Sequence, residues 1–210
     1  MFIALVTNGA RNAFGIFVLP LEHDFGWSRG TISIAASLGF LVNGLTQPFL
    51  GSVFDRLGGR RVILTSLVLF GLTTVLLSLT FHFLFLVFVF GFLSAAAMSG
   101  SSLTNTGALL TRWFRRRRAT VVGLNAAGLS LGGLLLVPFA MYLLQVTNWR
   151  VTWAALGLLV LVLGVPLAWL FLRDDPSQLG LLPDGDAQPA EGQPRRGSRP
   201  EGPFAVTRWK

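Results

Sequence analysis

Apolar residues run through this chain in long unbroken blocks, and the length of each block sets the first expectation. A helix needs about 20 mostly apolar residues to cross the ~30 Å hydrocarbon core of a bilayer. The first block of that length runs from Met1 to about Leu21, and the second from about Gly30 to Leu50. Residues 62–110 form one stretch long enough for two spans, and Thr80-Phe81-His82 is its most polar point and expected turn. The fifth block covers Thr120 to Gln145 and the sixth Val151 to Leu172. Transmembrane strands would show short alternating segments instead. Helices also satisfy every backbone polar group internally, which lipid demands. The expected fold class is an all-α membrane protein, a six-transmembrane-helix bundle over residues 1–172. Residues 173–210 change character to Pro, Gly, Asp and Arg. Such a segment buries too little apolar surface to order itself, so a disordered cytoplasmic linker or tail is expected there.

Composition agrees. Hydrophobic residues make up 52% of the chain and charged residues 12%, with a mean hydropathy of +0.65, whereas a soluble domain carries about 25% charged residues. The net charge of +8 raises nucleic-acid binding as a possibility. The arginines lie between apolar runs, however, and no soluble nucleic-acid-binding module is visible. Their placement sets orientation instead. Arg56, Arg60 and Arg61, then Arg112 and Arg115 to Arg118, then the tail from Arg173 onward fall on one side, leaving only Arg11, Arg29 and Arg150 elsewhere. By the positive-inside rule that side is cytoplasmic, with both termini, in a multi-pass cell-membrane protein. No basic region precedes Phe2, which argues against a cleaved signal peptide. The chain has no cysteine, and its histidines, His23 and His82, are far apart, so neither a metal centre nor a cofactor is expected.

Arg11 stands out within the first span. A charge at bilayer depth costs at least ~2.5–3.5 kcal/mol, so such a residue faces a cavity or a partner. All nine carboxylates (Glu22, Asp24, Asp55, Asp174, Asp175, Asp184, Asp186, Glu191 and Glu201) fall in loops or tail. Arg11 therefore has no acid at its own depth, and its planar fork suits a substrate carboxylate. Alternatives are a shallower position, should the first helix begin upstream, and a carboxylate from a second bundle. Asn8 and Asn12, one turn away, are candidate substrate contacts beside it. Asn43, Gln47, Asn105 and Asn125 could line a path, but interhelical hydrogen bonding is the simpler role for most of them. Small residues from Ser94 to Ser102, and Gly128-Leu-Ser-Leu-Gly132, fit close helix packing. Pro166 is a candidate kink in the sixth span.

Between the second and third blocks lies Gly51-Ser-Val-Phe-Asp55-Arg56-Leu-Gly58-Gly-Arg60-Arg61. Gly51 is expected to end the second span and let a neighbouring helix approach. Asp55 is placed to cap the third helix, and the arginines to pair with it or with anionic headgroups. Gly51, Asp55, Arg56, Gly58, Arg60 and Arg61 match the turn after helix two in the major facilitator superfamily, which this chain resembles. Arg112-Trp113-Phe114-Arg115-Arg116-Arg117-Arg118 is similar to the approach to helix five in its monocarboxylate and oxalate–formate branch. Gly26-Trp27-Ser28-Arg29, Asn148-Trp149-Arg150 and the segment Asp175 to Gly185 resemble bacterial members of that branch.

The resemblance implies the amino-terminal half of a twelve-helix secondary transporter, with no enzymatic activity. Its mechanism would be alternating access, its cargo a small organic anion of monocarboxylate type held by Arg11. The Gly51–Arg61 segment would act as a gating latch. The expected partners are the anion, the lipid bilayer, and a carboxyl-terminal six-helix half or a second copy. The alternative reading is a truncated, non-transporting half that serves only as a membrane assembly or scaffold protein.

Overall fold

The computed structural model describes residues 1–114 and 116–173. Among them are six helices long and apolar enough to span a bilayer and no strand: α1 (Phe2–Phe25), α2 (Arg29–Leu57), α3 (Gly59–Leu79), α4 (Phe83–Thr111), α5 (Arg118–Val146) and α6 (Trp149–Phe171). The expected six-helix bundle is what forms. The tail expected to be disordered lies, from residue 174, outside the described residues.

Local chemistry explains where the helices stop. Gly26 takes a left-handed conformation (φ 67°) that ends α1. Ser28 then caps α2 by accepting a hydrogen bond from the Thr31 N–H at 3.1 Å. Asn148 caps α6 in the same way, accepting from the Val151 N–H at 2.9 Å. The turn expected at Thr80-Phe81-His82 is present, with His82 capping α4. The boundary after α2 differs from expectation. The helix does not stop near Leu50 but continues to Leu57, carrying Gly51, Asp55 and Arg56 in helical conformation. Only Gly58, at φ 87° and ψ 146°, breaks the chain before α3 begins. Polarity alone does not end a helix that has left the lipid; a backbone conformation that side chains disfavour does.

Two helices are irregular inside the bundle. In α6, residues Val160–Gly164 widen into a π-helical turn just before Pro166, where the missing proline N–H would otherwise leave a break in the ladder. In α4, Val87–Ser94 is π-helical, and the helix breaks at Ser101-Ser102 before restarting at Leu103. Asn105 donates to the Ser99 and Gly100 carbonyls at 3.2 Å each, satisfying groups released by that break.

α1 pairs along its length with α5. A Cβ on Gly9 would sit 2.5 Å from the Gly132 carbonyl oxygen, and one on Gly128 would sit 2.6 Å from the Met1 oxygen. One on Gly132 would overlap the Leu5 oxygen. The glycines thus place backbone directly on backbone. α2 also packs on α4, and α3 on α4 and α6. Phe14 stacks on Phe90, and Phe17 on Trp153, each at 4.0 Å between ring centroids, tying α1, α4 and α6 into one apolar core. At one end of the bundle Trp149 donates to the Asp24 carboxylate at 2.6 Å, and Arg150 to the Ser78 carbonyl at 3.1 Å. The other end is the arginine-rich one.

Candidate functional site

Arg11 lies nine residues into α1, about 14 Å along its axis at 1.5 Å per residue. Immediately after it, Ala13–Phe17 tightens into a 3-10 turn. The Arg11 side chain is half-buried and enters a small cleft between α2, α3 and α4, walled by Gly39, Phe70, Ser94 and Ala95. Its guanidinium carbon lies 4.3 Å from the centre of the Phe40 ring, and Nη1 donates to Met98 Sδ at 3.6 Å. Both partners are weak: a thioether is a poor acceptor, and an aromatic face attracts a cation without accepting a conventional hydrogen bond. A guanidinium has five N–H donors. Its other donors make no hydrogen bond among the described residues, and no carboxylate pairs with it. Phe40 is 68% exposed and Arg11 itself is partly exposed, so the group is not sealed inside the bundle.

The candidate contacts beside Arg11 do not converge on it. Asn8 donates to the Leu129 carbonyl of α5 at 2.9 Å. Asn12 is exposed, and its amide nitrogen lies 3.4 Å from where a Cβ on Gly133 would stand. Both therefore face α5, whereas Arg11 points towards α2 and α4. Residues 8 and 12 share a helical face, and residue 11 sits about 60–100° round from it.

Of the other intramembrane amides, Asn43 and Asn125 join helices, whereas Asn105 bonds within α4 and Gln47 within α2. Asn43 of α2 donates to the Ala95 carbonyl at 3.2 Å and to Ser99 Oγ at 2.9 Å. Thr46 Oγ1 and Ser99 Oγ are 2.7 Å apart, and Gln47 donates to Asn43 Oδ1 at 3.3 Å. Asn125 of α5 donates to Thr106 Oγ1 of α4 at 2.8 Å. The α2–α4 cluster begins one turn along α2 from Phe40.

The segment Gly51–Arg61 divides in two. Gly51 meets nothing within 4 Å where its Cβ would be, so no helix of this bundle approaches it as expected. Close contact occurs at Gly59 instead, where a Cβ would sit 2.5 Å from the Phe54 ring. Asp55 does not cap α3: the N-cap is Gly58 and no side chain accepts there. It is exposed in the last turn of α2 and forms no ion pair among the described residues. The helical continuation to Leu57 is the physical reason, since it carries Asp55 on the α2 surface and away from the start of α3. Arg60, by contrast, reaches across the bundle. Its Nη2 donates to the Trp169 carbonyl at 2.9 Å, and its guanidinium lies over the Trp169 ring at 5.9 Å. Trp169 is in the final turn of α6, where free carbonyls and the negative dipole end favour a cation. Nearby, Trp113 donates to the Arg173 carbonyl at 3.0 Å. Arg56 and Arg61 are exposed.

Phe40, Met98 and the Arg60–Trp169 bracket escape sequence reasoning. The first two carry no mark that separates them from lipid-facing or core side chains, and the bracket joins residues 109 positions apart.

The major facilitator superfamily family model matches residues 1–209. Monocarboxylate transporter 13 of Bos taurus is 28% identical over 178 residues, which is 83% of this chain and 42% of that protein. Probable anion transporter 3, chloroplastic, of Arabidopsis thaliana is 31% identical over 159 residues, 72% of this chain and 30% of that protein. An uncharacterized MFS-type transporter of Bacillus subtilis (strain 168) is 24% identical over 173 residues, 82% of this chain and 42% of that protein. The chain spans less than half the length of these relatives. With a family match along almost its whole length and six apolar helices in the arrangement described, this multi-pass membrane chain belongs to the major facilitator superfamily.

Proposed function

We propose that residues 1–172 are one six-helix half of a secondary active transporter that moves a small organic anion, of monocarboxylate type, by alternating access, and that residues 173–210 are its cytoplasmic linker. A second bundle, from a longer chain or a second copy, closes the transport path opposite α1, α2 and α4. Rocking of the two bundles about a site near the midplane then exposes the anion to each side in turn. No covalent chemistry is involved, and the protein is not an enzyme. The arginine-rich end is cytoplasmic, in the cell membrane, because basic residues are retained on that side.

The observation that carries this reading is the Arg11 guanidinium. It lies well inside α1, is partly exposed, and is held only by a thioether and a ring face. A carboxylate can make two parallel charge-assisted hydrogen bonds to such a fork without first displacing a competing acid. The names of the monocarboxylate and anion transporters among the relatives fit a carboxylate-bearing cargo. Asn8 and Asn12 remain candidate substrate contacts from the α5 side, Asn12 being the more accessible. Gly51, Asp55, Arg56, Gly58, Arg60 and Arg61 form the proposed latch between bundles.

The test is uptake of labelled lactate, oxalate and formate into proteoliposomes holding this bundle together with its second bundle. Arg11→Ala is expected to abolish uptake while the amount of reconstituted protein stays the same. Undiminished uptake by that variant would refute the assignment.

A further inference from the structure

A second concavity, of about 640 Å³, opens between α2, α3 and α4. It is distinct from the cleft that holds Arg11. On α4, Leu93, Ala96 and Ala97 line this groove, whereas Ser94 and Met98 line the cleft; the two sets lie roughly a third of a turn apart. The walls are apolar, with Phe49 72% exposed at the rim. Three of the groove's four hydroxyls are turned back on the protein: Thr46 donates to the Val42 carbonyl at 2.8 Å, Thr65 to the Arg61 carbonyl at 2.9 Å, and Thr73 to the Phe70 carbonyl at 3.0 Å. At the arginine-rich end the lining includes Arg61, whose exposed side chain makes no hydrogen bond or ion pair among the described residues.

We infer that this groove binds one anionic phospholipid, with Arg61 on its phosphate and an acyl chain along α3. Length supports the match. From Arg61 to Thr73 is about 18 Å at 1.5 Å per residue, close to one leaflet of a ~30 Å hydrocarbon core. A phosphate at headgroup level therefore leaves its chain to fill the groove down to the midplane. Charge supports it as well. A guanidinium fork pairs with phosphate oxygens, and on the orientation proposed above this end meets the leaflet that carries the anionic lipids. A small free anion would leave the apolar length empty. A zwitterionic lipid would bring its own cation to Arg61. The assignment needs no particular cargo and no transport activity.

The test is lipid binding by the purified chain in detergent, followed by native mass spectrometry with phosphatidylglycerol and phosphatidylcholine of identical chains. The chain is expected to prefer the anionic lipid about fivefold, the contribution of one basic residue near a membrane surface. Arg61→Gln should remove that preference without changing the circular dichroism spectrum. Ala96→Phe, which fills the groove, should lower occupancy by both lipids. Preference retained in Arg61→Gln would overturn the site. So would full occupancy in a folded Ala96→Phe variant, or equal competition by glycerol phosphate lacking acyl chains. Loss of anion uptake in Arg11→Ala bears on none of these readouts, so the two proposals fail separately.

Discussion

Replacing Gly132 by alanine tests the seam between α1 and α5. The added methyl would overlap the Leu5 carbonyl oxygen and stand 3.0 Å from the Gly9 nitrogen. Both obstructions are backbone, so no side chain can swing aside. The helices have to separate by about 1 Å to restore ordinary contact, and a gap of 0.5–1 Å forfeits a quarter to a half of each dispersion contact along the seam. Overpacking of this kind costs about 1–3 kcal/mol. Separation also stretches the Asn8–Leu129 hydrogen bond, now 2.9 Å, which adds about 0.6 kcal/mol. Alanine's better helix propensity returns up to about 1 kcal/mol. With the full propensity gain the net expectation is a loss of about 0.6–2.6 kcal/mol. Gly44 and Gly123 serve as controls, because a Cβ there meets nothing within 4 Å; alanine at either should be neutral or stabilising by up to about 1 kcal/mol. Denaturant unfolding of the purified chain in micelles measures both. The Gly9→Ala/Gly132→Ala double variant should lose less than the sum of its parts, because one separation relieves both overlaps. The reasoning fails if Gly132→Ala is as stable as the parent, or if Gly44→Ala loses as much.

Three further outcomes follow from the polar contacts. Asn43→Ala removes two α2–α4 hydrogen bonds and should cost about 1 kcal/mol at roughly 0.6 each, read by the same unfolding assay. Asp55→Asn should not destabilise this bundle and should stabilise it by up to about 1 kcal/mol, because it removes an acid from a helix carboxyl end where Asp55 neither caps α3 nor forms an ion pair among the described residues. If the latch exists, the same change should slow anion uptake by the paired bundles about tenfold, within the usual range of coupling energies. Arg60→Gln should weaken the end of α6 by about 0.3–1 kcal/mol, the worth of a cation at a helix carboxyl terminus, seen as faster hydrogen exchange over residues 168–172.

The spans were legible because lipid imposes a length, and a block of apolar residues either meets it or does not. The helix ends were less so. Glu22, Asp24, Asp55 and Arg56 are polar enough to suggest loops, yet all four are helical, since helices project beyond the hydrocarbon until a glycine with positive φ stops them. Arg11 was visible as a cation with no acid at its depth, because acids can be located by reading alone. Its actual neighbours were not, because contact with Met98 crosses 87 positions of sequence and depends on how α1 rotates between α2 and α4. Asn8 and Asn12 are separated from Arg11 by the helix's own 100° per residue, which puts position 11 about 60–100° round from them, although one turn of spacing suggested a shared face. The small-residue pattern in α5 did announce a close-packed surface. That its partner is α1, through Gly9, required the fold.

The Gly51–Arg61 segment carries two kinds of residue, and the distinction bears on how a latch could work. Gly58, Gly59 and Arg60 serve their own bundle: one breaks the helix, one admits the Phe54 ring, and one holds the end of α6. Gly51 and Asp55 do not. A Cβ on Gly51 would meet no neighbour within 4 Å, and Asp55 sits in the last turn of a helix, where the dipole disfavours an acid. An exposed carboxylate at an unfavourable helix end gains its partner from outside the bundle if it gains one at all. Gly51, one turn earlier, leaves that approach free of side chains. A second bundle presenting a donor group to this face would be favoured when the arginine-rich ends come together, and released when they part. Arg60 meanwhile ties the start of α3 to the last turn of α6, so the latch proposed here would sit on a helix start already fixed within its own bundle.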